Sequence, residues 1–454
     1  MLLPHSQTRI IAPRPRRRAV ETALVEDLFS SRFFLGCFLL ICALYASHSY
    51  AQSQFQVSGF GTVGLAVENE DDMSFLRDSN MSKDPEKDGT VLPDSIFGLQ
   101  LSYRFASSWR ATTQFVYRDR SKQDLGESTE LAFIGYRPLP DLDLRAGRMG
   151  IDMFQLSDFR RVDYANLWVR PPVEVYGWIL PQSIDGADAA YSFSTGEYYW
   201  RVKVQFGETD ALLEAPNGSQ AFKNEYNNFI VSTATLNHGS WRYRASYSQA
   251  DLPVGSTPLL PVLQGVGALA PDPIGAEARE YFSRLSKQSD GEVRYLQASL
   301  GYDDGTWVVD TELAQLKATR TWAPAGKSGY FSVGRRFDVL TPYVIYSRFY
   351  ADKKPVESSA DWSLLGPLPI GGGATIDPVF LRDLAKGAIN GPLLEQYTFS
   401  LGVRWDAAPG VALKAQWDRT EIEKQQYSLW AHEGTQADSD SIVNVFSASL
   451  NFIF

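Results

Sequence analysis

Beyond Cys42 the chain has no cysteine. Its two thiols, Cys37 and Cys42, both lie near the N-terminus, so the rest can form neither disulfides nor thiolate metal sites. Histidine is almost as scarce: after residue 51 only His238 and His432 remain. No later apolar run reaches the roughly 18 residues of a membrane-spanning helix. There is no Gly/Ser tract or low-complexity linker to divide the chain into domains. Positive charge is also in deficit, with a formal net charge of −10, which argues against nucleic-acid binding.

The N-terminus is the basic exception. Arg14, Arg16, Arg17, Arg18 and Arg32 precede the apolar run Phe33–Leu44, and Ser49-Tyr50-Ala51 supplies small residues for cleavage. Residues 1–51 therefore read as a secretory signal peptide, leaving 52–454 as the exported chain. A lipoprotein signal does not fit, because Cys42 follows Ile41 where a small residue is needed.

Just after it stands "FQVSGFGTVGLAV", containing Gly59, Gly61 and Gly64 in a G-x-G-x-x-G spacing. A dinucleotide site needs a helix to start at those glycines, so that its N–H groups meet a pyrophosphate. The residues after Val67 are instead polar and acidic, with no helical apolar stripe. Read with period two, Phe55, Val57, Gly59, Gly61, Val63, Leu65 and Val67 share one face, which predicts a long strand.

The same alternation runs to the end. Trp109, Ala111, Thr113, Phe115 and Tyr117 alternate with Arg110, Thr112, Gln114 and Arg118; Trp200, Val202, Val204 and Phe206 alternate with Arg201, Lys203 and Gln205. Connections fall into two classes. Short ones at 106–108, 139–140, 194–196, 236–239, 303–305, 338–340 and 406–409 carry the turn formers Pro, Gly, Asn and Asp. Long polar ones run over about 68–94, 119–127, 149–183, 208–225, 250–290, 319–327, 352–393 and 422–440. These connections join sixteen strands with both termini at the short-turn end.

One face of these strands carries charges that a packed core would reject, while the other is an unbroken apolar surface. Lipid outside and water inside satisfy both. Trp109, Trp200, Trp241, Trp307 and Trp405 sit on the apolar face near short turns, as an interfacial aromatic girdle does. The expected fold is all-β: a transmembrane antiparallel barrel of about sixteen strands, with short periplasmic turns and long extracellular loops.

Chemistry has little to work with. His238 lies in a short turn and His432 in a loop at the opposite end, so they cannot share a site. "AGKS" (Ala325 to Ser328) lacks the upstream glycine of a P-loop, and "ENEDD" (Glu68 to Asp72) reads as a solvated acidic loop. No cofactor, metal or catalytic residue is expected. The first strand comes too soon after the signal to leave room for a plug domain.

The chain ends in "SIVNVFSASLNFIF", with Phe446, Ala448, Leu450, Phe452 and Phe454 on one face and Phe454 last. With the signal peptide, glycine-rich first strand and strand count, this resembles the 16-stranded Gram-negative porin family. "LSDFRRVDYANLWVRPPVEVYG" also resembles a segment of porin-like chains. The resemblance implies that Leu450, Phe452 and Phe454 form a signal read by the barrel assembly machinery. It implies outer-membrane lipid and lipopolysaccharide as surroundings, and a homotrimer. It further implies that the third long loop folds into the pore. Arg148, Asp152, Asp158, Arg160, Arg161, Asp163, Arg170 and Glu174 would then form the constriction, facing wall residues Arg110, Arg118, Lys203, Arg242 and Arg244. Phe154, Phe159, Tyr164, Trp168, Tyr176 and Trp178 would anchor that loop. The expected function is passive diffusion of small hydrophilic solutes or ions with a mild anion preference. Substrate-specific channels and, further off, barrel enzymes are the alternatives. Pairing of Arg160, Arg161 and Arg170 with the loop's own acids would weaken the anion preference.

Overall fold

The computed structural model describes residues 54–70, 73–82, 89–122, 124–178, 181–214, 221–252, 259–286, 291–318, 325–390, 393–423, 430–432 and 441–454. The signal-peptide expectation lies outside them.

Sixteen strands close into one antiparallel barrel. They are β1 (Phe55–Glu68), β2 (Ile96–Ala106), β3 (Trp109–Arg118), β4 (Thr129–Leu139), β5 (Leu142–Gly150), β6 (Ser183–Thr195), β7 (Tyr198–Glu214) and β8 (Ala221–His238). The second half comprises β9 (Trp241–Leu252), β10 (Gly291–Asp303), β11 (Trp307–Ala318), β12 (Gly326–Arg335), β13 (Leu340–Ala351), β14 (Gln396–Ala408), β15 (Val411–Ile422) and β16 (Ser441–Ile453). Each strand pairs with its chain neighbours, and β1 pairs with β16 to leave no open edge.

The alternation decides which side faces out. On β1, Val63, Leu65 and Val67 are exposed on the outer wall, while Phe60, Thr62 and Ala66 are buried inside. Trp109, Trp241, Trp307 and Trp405 are likewise exposed near the short turns, with Trp109 and Trp241 packed on Tyr136 and Tyr302. A continuous exposed apolar wall of this kind is satisfied by lipid.

The glycines of β1 have structural work to do. Gly59 and Gly61 lie on the outer face at the closing seam, where the rings of Phe454 and Phe452 cover them and a Cβ would collide with each ring. Gly64 faces inward, where a Cβ would meet Asp94. This strand contains no phosphate-binding turn.

Two expectations change. The loop expected over 208–225 is mostly strand, because β7 continues to Glu214 and β8 begins at Ala221. Its outward residues there are Glu208, Asp210, Lys223 and Glu225, so the outer face turns polar and hides the alternation. The long connections expected over 250–290 and 352–393 are not plain polar loops. They carry α1 (Leu259–Leu269), α2 (Ile274–Ser286) and α3 (Pro378–Asn390). Leu263, Val266, Ile274, Ala278, Tyr281, Leu285, Trp362, Leu381, Ala385 and Ile389 form a separate apolar core, and those on the helices recur at helical spacing. Glu277 fastens this cap, accepting hydrogen bonds from the Ser359 and Ala360 amides, Ser358 Oγ and Trp362 Nε1 at 2.7–2.9 Å.

Candidate functional site in the barrel lumen

The connection from β5 to β6 turns inward and crosses the lumen. Met149, Ile151, Met153, Phe154, Leu156, Trp168, Val173, Val175, Tyr176 and Trp178 are buried there in one cluster with wall residues such as Tyr295, Tyr330, Tyr343 and Phe349. The aromatic anchors are specific. Trp168 Nε1 donates to Ser332 Oγ at 2.6 Å, Phe154 meets Tyr295 edge-on at 5.7 Å, and Trp178 meets Phe349 at 5.5 Å.

Polar contacts tie the same segment to successive strands. Asp152 pairs with Lys203 on β7 at 3.1 Å and with Arg244 on β9. The Gln155 amide and Tyr176 hydroxyl donate to Glu312 on β11. Glu174 accepts from Ser347 on β13 and from Gln396 and Thr398 on β14 at 2.5–2.7 Å. Lys414 Nζ on β15 donates to the carbonyls of Asp163, Asn166 and Trp168 at 2.6–2.7 Å.

Arg161 and Arg170 find acids, but not those of their own loop. Arg170 bonds Asp94 at 2.8 Å and Asp418 at 2.6 Å. Arg161 bonds Asp78 at 2.8 Å, and Arg118 of β3 reaches the same carboxylate at 3.3 Å. Asp163 is held by Arg77 at 2.8 Å. Arg160 donates to Gln182 at 2.9 Å and lies 5.5 Å from the Phe154 ring centre. Arg77, Asp78 and Asp94 belong to the first long connection, which also folds inward and is buried at these residues. The sequence reads as a long polar connection over about 68–94, with only Glu68 to Asp72 as a solvated acidic loop. Its one signal was the apolar pair Phe75-Leu76 placed beside Arg77-Asp78 in an otherwise polar stretch.

Arg148 is a correction. It lies on β5 opposite Asp185 of β6, both point outward, and their ion pair measures 2.7 Å. Residues 142–150 are strand, and even-numbered positions there face the outer wall: Ala146 is exposed while Met149 is buried. Arg148 therefore cannot narrow the lumen. Asp158 is exposed and makes no ion pair among the described residues.

The remaining wall is basic towards the short turns. Arg104 on β2 and Arg110 on β3 are directly cross-strand on the inner face. Arg110 and Arg137 share one acid, Asp143, at 2.8 and 3.2 Å, and Arg104 makes no ion pair among the described residues. Like charges set opposite each other cost stability. Further round, a cavity of about 590 Å³ opens at the short-turn end between the crossing loop and Arg242, Arg336 and Arg404. No cluster of His, Cys, Asp and Glu suited to a metal occurs among the described residues. His238 stacks on Tyr198 at 4.5 Å in its turn.

No family model matches the chain, and neither does any curated protein. Solved structures do. The chain is similar to an anion-selective porin from Comamonas acidovorans, with 10% identity and a TM-score of 0.50 over 88% of this chain and 99% of that one. It is also similar to Salmonella typhi OmpF in complex with daunomycin, at 11% identity and TM-score 0.48 over 88% and 97% of the two chains. A third is the outer-membrane channel DcaP of Acinetobacter baumannii, at 8% identity and TM-score 0.46 over the same shares. At such identities the likeness is one of fold. A closed sixteen-stranded barrel whose third long loop folds inside it is the architecture of the Gram-negative outer-membrane porins, and this chain has that porin fold.

Proposed function

We propose that the protein is an outer-membrane porin, a water-filled channel through which small hydrophilic solutes and ions diffuse passively. The observation that carries the reading is the inward-folded third loop, bonded to the wall from Lys203 on β7 round to Asp418 on β15 and Ser447 on β16, inside a barrel whose outer face is apolar. In this reading residues 1–51 are removed on export, 52–454 form the barrel, and the long loops face outside the cell. The reading involves no reaction, cofactor or metal.

A mild anion preference is part of the proposal, with its seat moved. Arg161 and Arg170 are neutralised by Asp78, Asp94 and Asp418. The wall supplies the positive excess instead: Arg110 and Arg137 share the single acid Asp143, and Arg104, cross-strand from Arg110, makes no ion pair among the described residues. Fixed charge on a narrow aqueous wall governs permeation more than screened charge on outer loops. Homotrimer formation also belongs to the proposal. The outer wall offers a shallow apolar groove between Phe55, Tyr103, Ala111 and Ile134 where a second copy could seat.

Purified protein in planar bilayers tests the reading. It should give discrete conductance steps and a reversal potential on the anion side in a salt gradient. Absence of conductance from protein that is correctly folded, judged by faster migration when unheated, would refute it.

A further inference from the structure

The cavity at the short-turn end combines two surfaces that a purely aqueous passage does not need. Its floor is apolar and aromatic, built by Phe159, Tyr164 and Leu167 of the crossing loop. Its rim carries three arginines, and they are not equivalent. Arg336 is committed to Asp303 by two hydrogen bonds, the longer at 2.8 Å. Arg404 is committed to Asp406 at 2.7 Å and to the carbonyls of Tyr164 and Asn166. Arg242 has no carboxylate within ion-pairing distance among the described residues, and donates only weakly to Asn237 at 3.4 Å. Asp310, the acid on the same side of the cavity, is engaged by Gln155 Nε2 at 2.7 Å.

An exposed guanidinium with spare donors, set across from an aromatic floor, matches a ligand with a carboxylate at one end and a planar ring at the other. The charge-assisted pair fixes one end and ring contact the other. A volume of about 590 Å³ accommodates one such molecule. We propose that this vestibule is a binding station for small aromatic carboxylates, with the carboxylate on Arg242 and the ring against Phe159 and Leu167. Arg404 stacks on Tyr164 with its guanidinium 5.0 Å from the ring centre, which holds that side of the floor in place. The inference adds a solute class to the channel reading and rests on it only for physiological meaning. Binding itself does not require conduction.

The experiment is equilibrium binding to the detergent-solubilised full barrel, with benzoate, acetate and benzyl alcohol as probes. Benzoate should bind roughly tenfold or more tighter than acetate, which lacks the ring, and than benzyl alcohol, which lacks the charge. Arg242→Gln should reduce benzoate binding to the benzyl alcohol level, and Phe159→Ala should reduce it to the acetate level. Unheated gel migration establishes that each variant is folded. Equal binding of benzoate and acetate by the wild-type protein overturns the inference without any variant, as does unchanged benzoate affinity in folded Arg242→Gln. A barrel that binds benzoate yet never conducts keeps this inference and loses the channel reading. A barrel that conducts but does not discriminate does the reverse.

Discussion

The ring of Phe454 lies over Gly59, and the two backbones exchange hydrogen bonds of 2.9 and 3.0 Å across the closing seam. Phe452 covers Gly61 in the same way, and the two rings stack with centres 6.5 Å apart. The first and last strands are therefore fitted to each other by absent side chains on one and large ones on the other. Gly59→Leu forces a side chain beneath that ring and to within 2.7 Å of the Gly98 carbonyl oxygen. It should destabilise the folded barrel by about 1–3 kcal/mol, as overpacking does. Urea unfolding in detergent measures this, and an unchanged midpoint would refute it.

Deleting Phe454 should do more than Phe454→Ala, because the deletion also removes the backbone pair with Gly59. Membrane-inserted, heat-modifiable protein should fall in both cases, with export to the periplasm intact. Wild-type insertion in the deletion variant would contradict this.

Arg170 sits buried between Asp94 and Asp418. Arg170→Ala leaves buried Asp418 without its cation and buried Asp94 with only Arg77 at 3.8 Å, and removing one partner of a buried pair typically costs about 3–5 kcal/mol. The crossing loop should keep only its Lys414 and Gln416 contacts to β15, giving noisier open-channel current and faster cleavage within 151–182 by added protease. Quiet current and wild-type protease resistance would place the anchor elsewhere.

Selectivity should follow the wall. Combined Arg104→Gln and Arg137→Gln should move the reversal potential in a salt gradient towards cations, with the barrel's stability little changed, since removing one of two facing arginines relieves repulsion. An unaltered reversal potential in this variant would refute a wall origin for anion preference.

The cap carries its own acid sensitivity. Burial pushes the Glu277 carboxyl up, but donors from Trp362, Ser358, Ser359 and Ala360 outweigh burial and hold it below its usual range. A carboxylate so lowered stabilises the folded cap above its unfolded value of about 4.3, and that contribution is lost as pH falls through the lowered folded value. Protease cleavage at 259–286 should therefore rise below about pH 4. Glu277→Gln should show the faster cleavage already at neutral pH, and equal cleavage of the two proteins at pH 7 would refute the role.

What was legible in the sequence is what period two and turn chemistry encode. The seven short turns and the strands beside them stand where Pro, Gly, Asn and Asp placed them. Phe154, Trp168 and Trp178 marked the crossing loop because so many aromatics are too many for water. The partners of its arginines were not legible. Asp78 and Asp94 lie 83 and 76 residues away from Arg161 and Arg170, and only closure of the barrel brings them together. Arg148 was misplaced because its side depends on a one-residue parity that the sequence places ambiguously at a strand end. The helices of the cap escaped because period-two reading does not register residues recurring as Ile274, Ala278, Tyr281 and Leu285 do.

The crossing loop also has a mechanical meaning. A hollow cylinder of hydrogen-bonded strands can flatten into an ellipse when the surrounding bilayer thickens or is squeezed sideways. Here Asp152, Trp168, Arg170 and Glu174 grip opposite stretches of the wall and act as spokes between hub and rim. Any flattening must pull on buried ion pairs and hydrogen bonds at once, so the rim keeps its outline. The width of the bore is then a property of the polypeptide and not of the membrane that carries it.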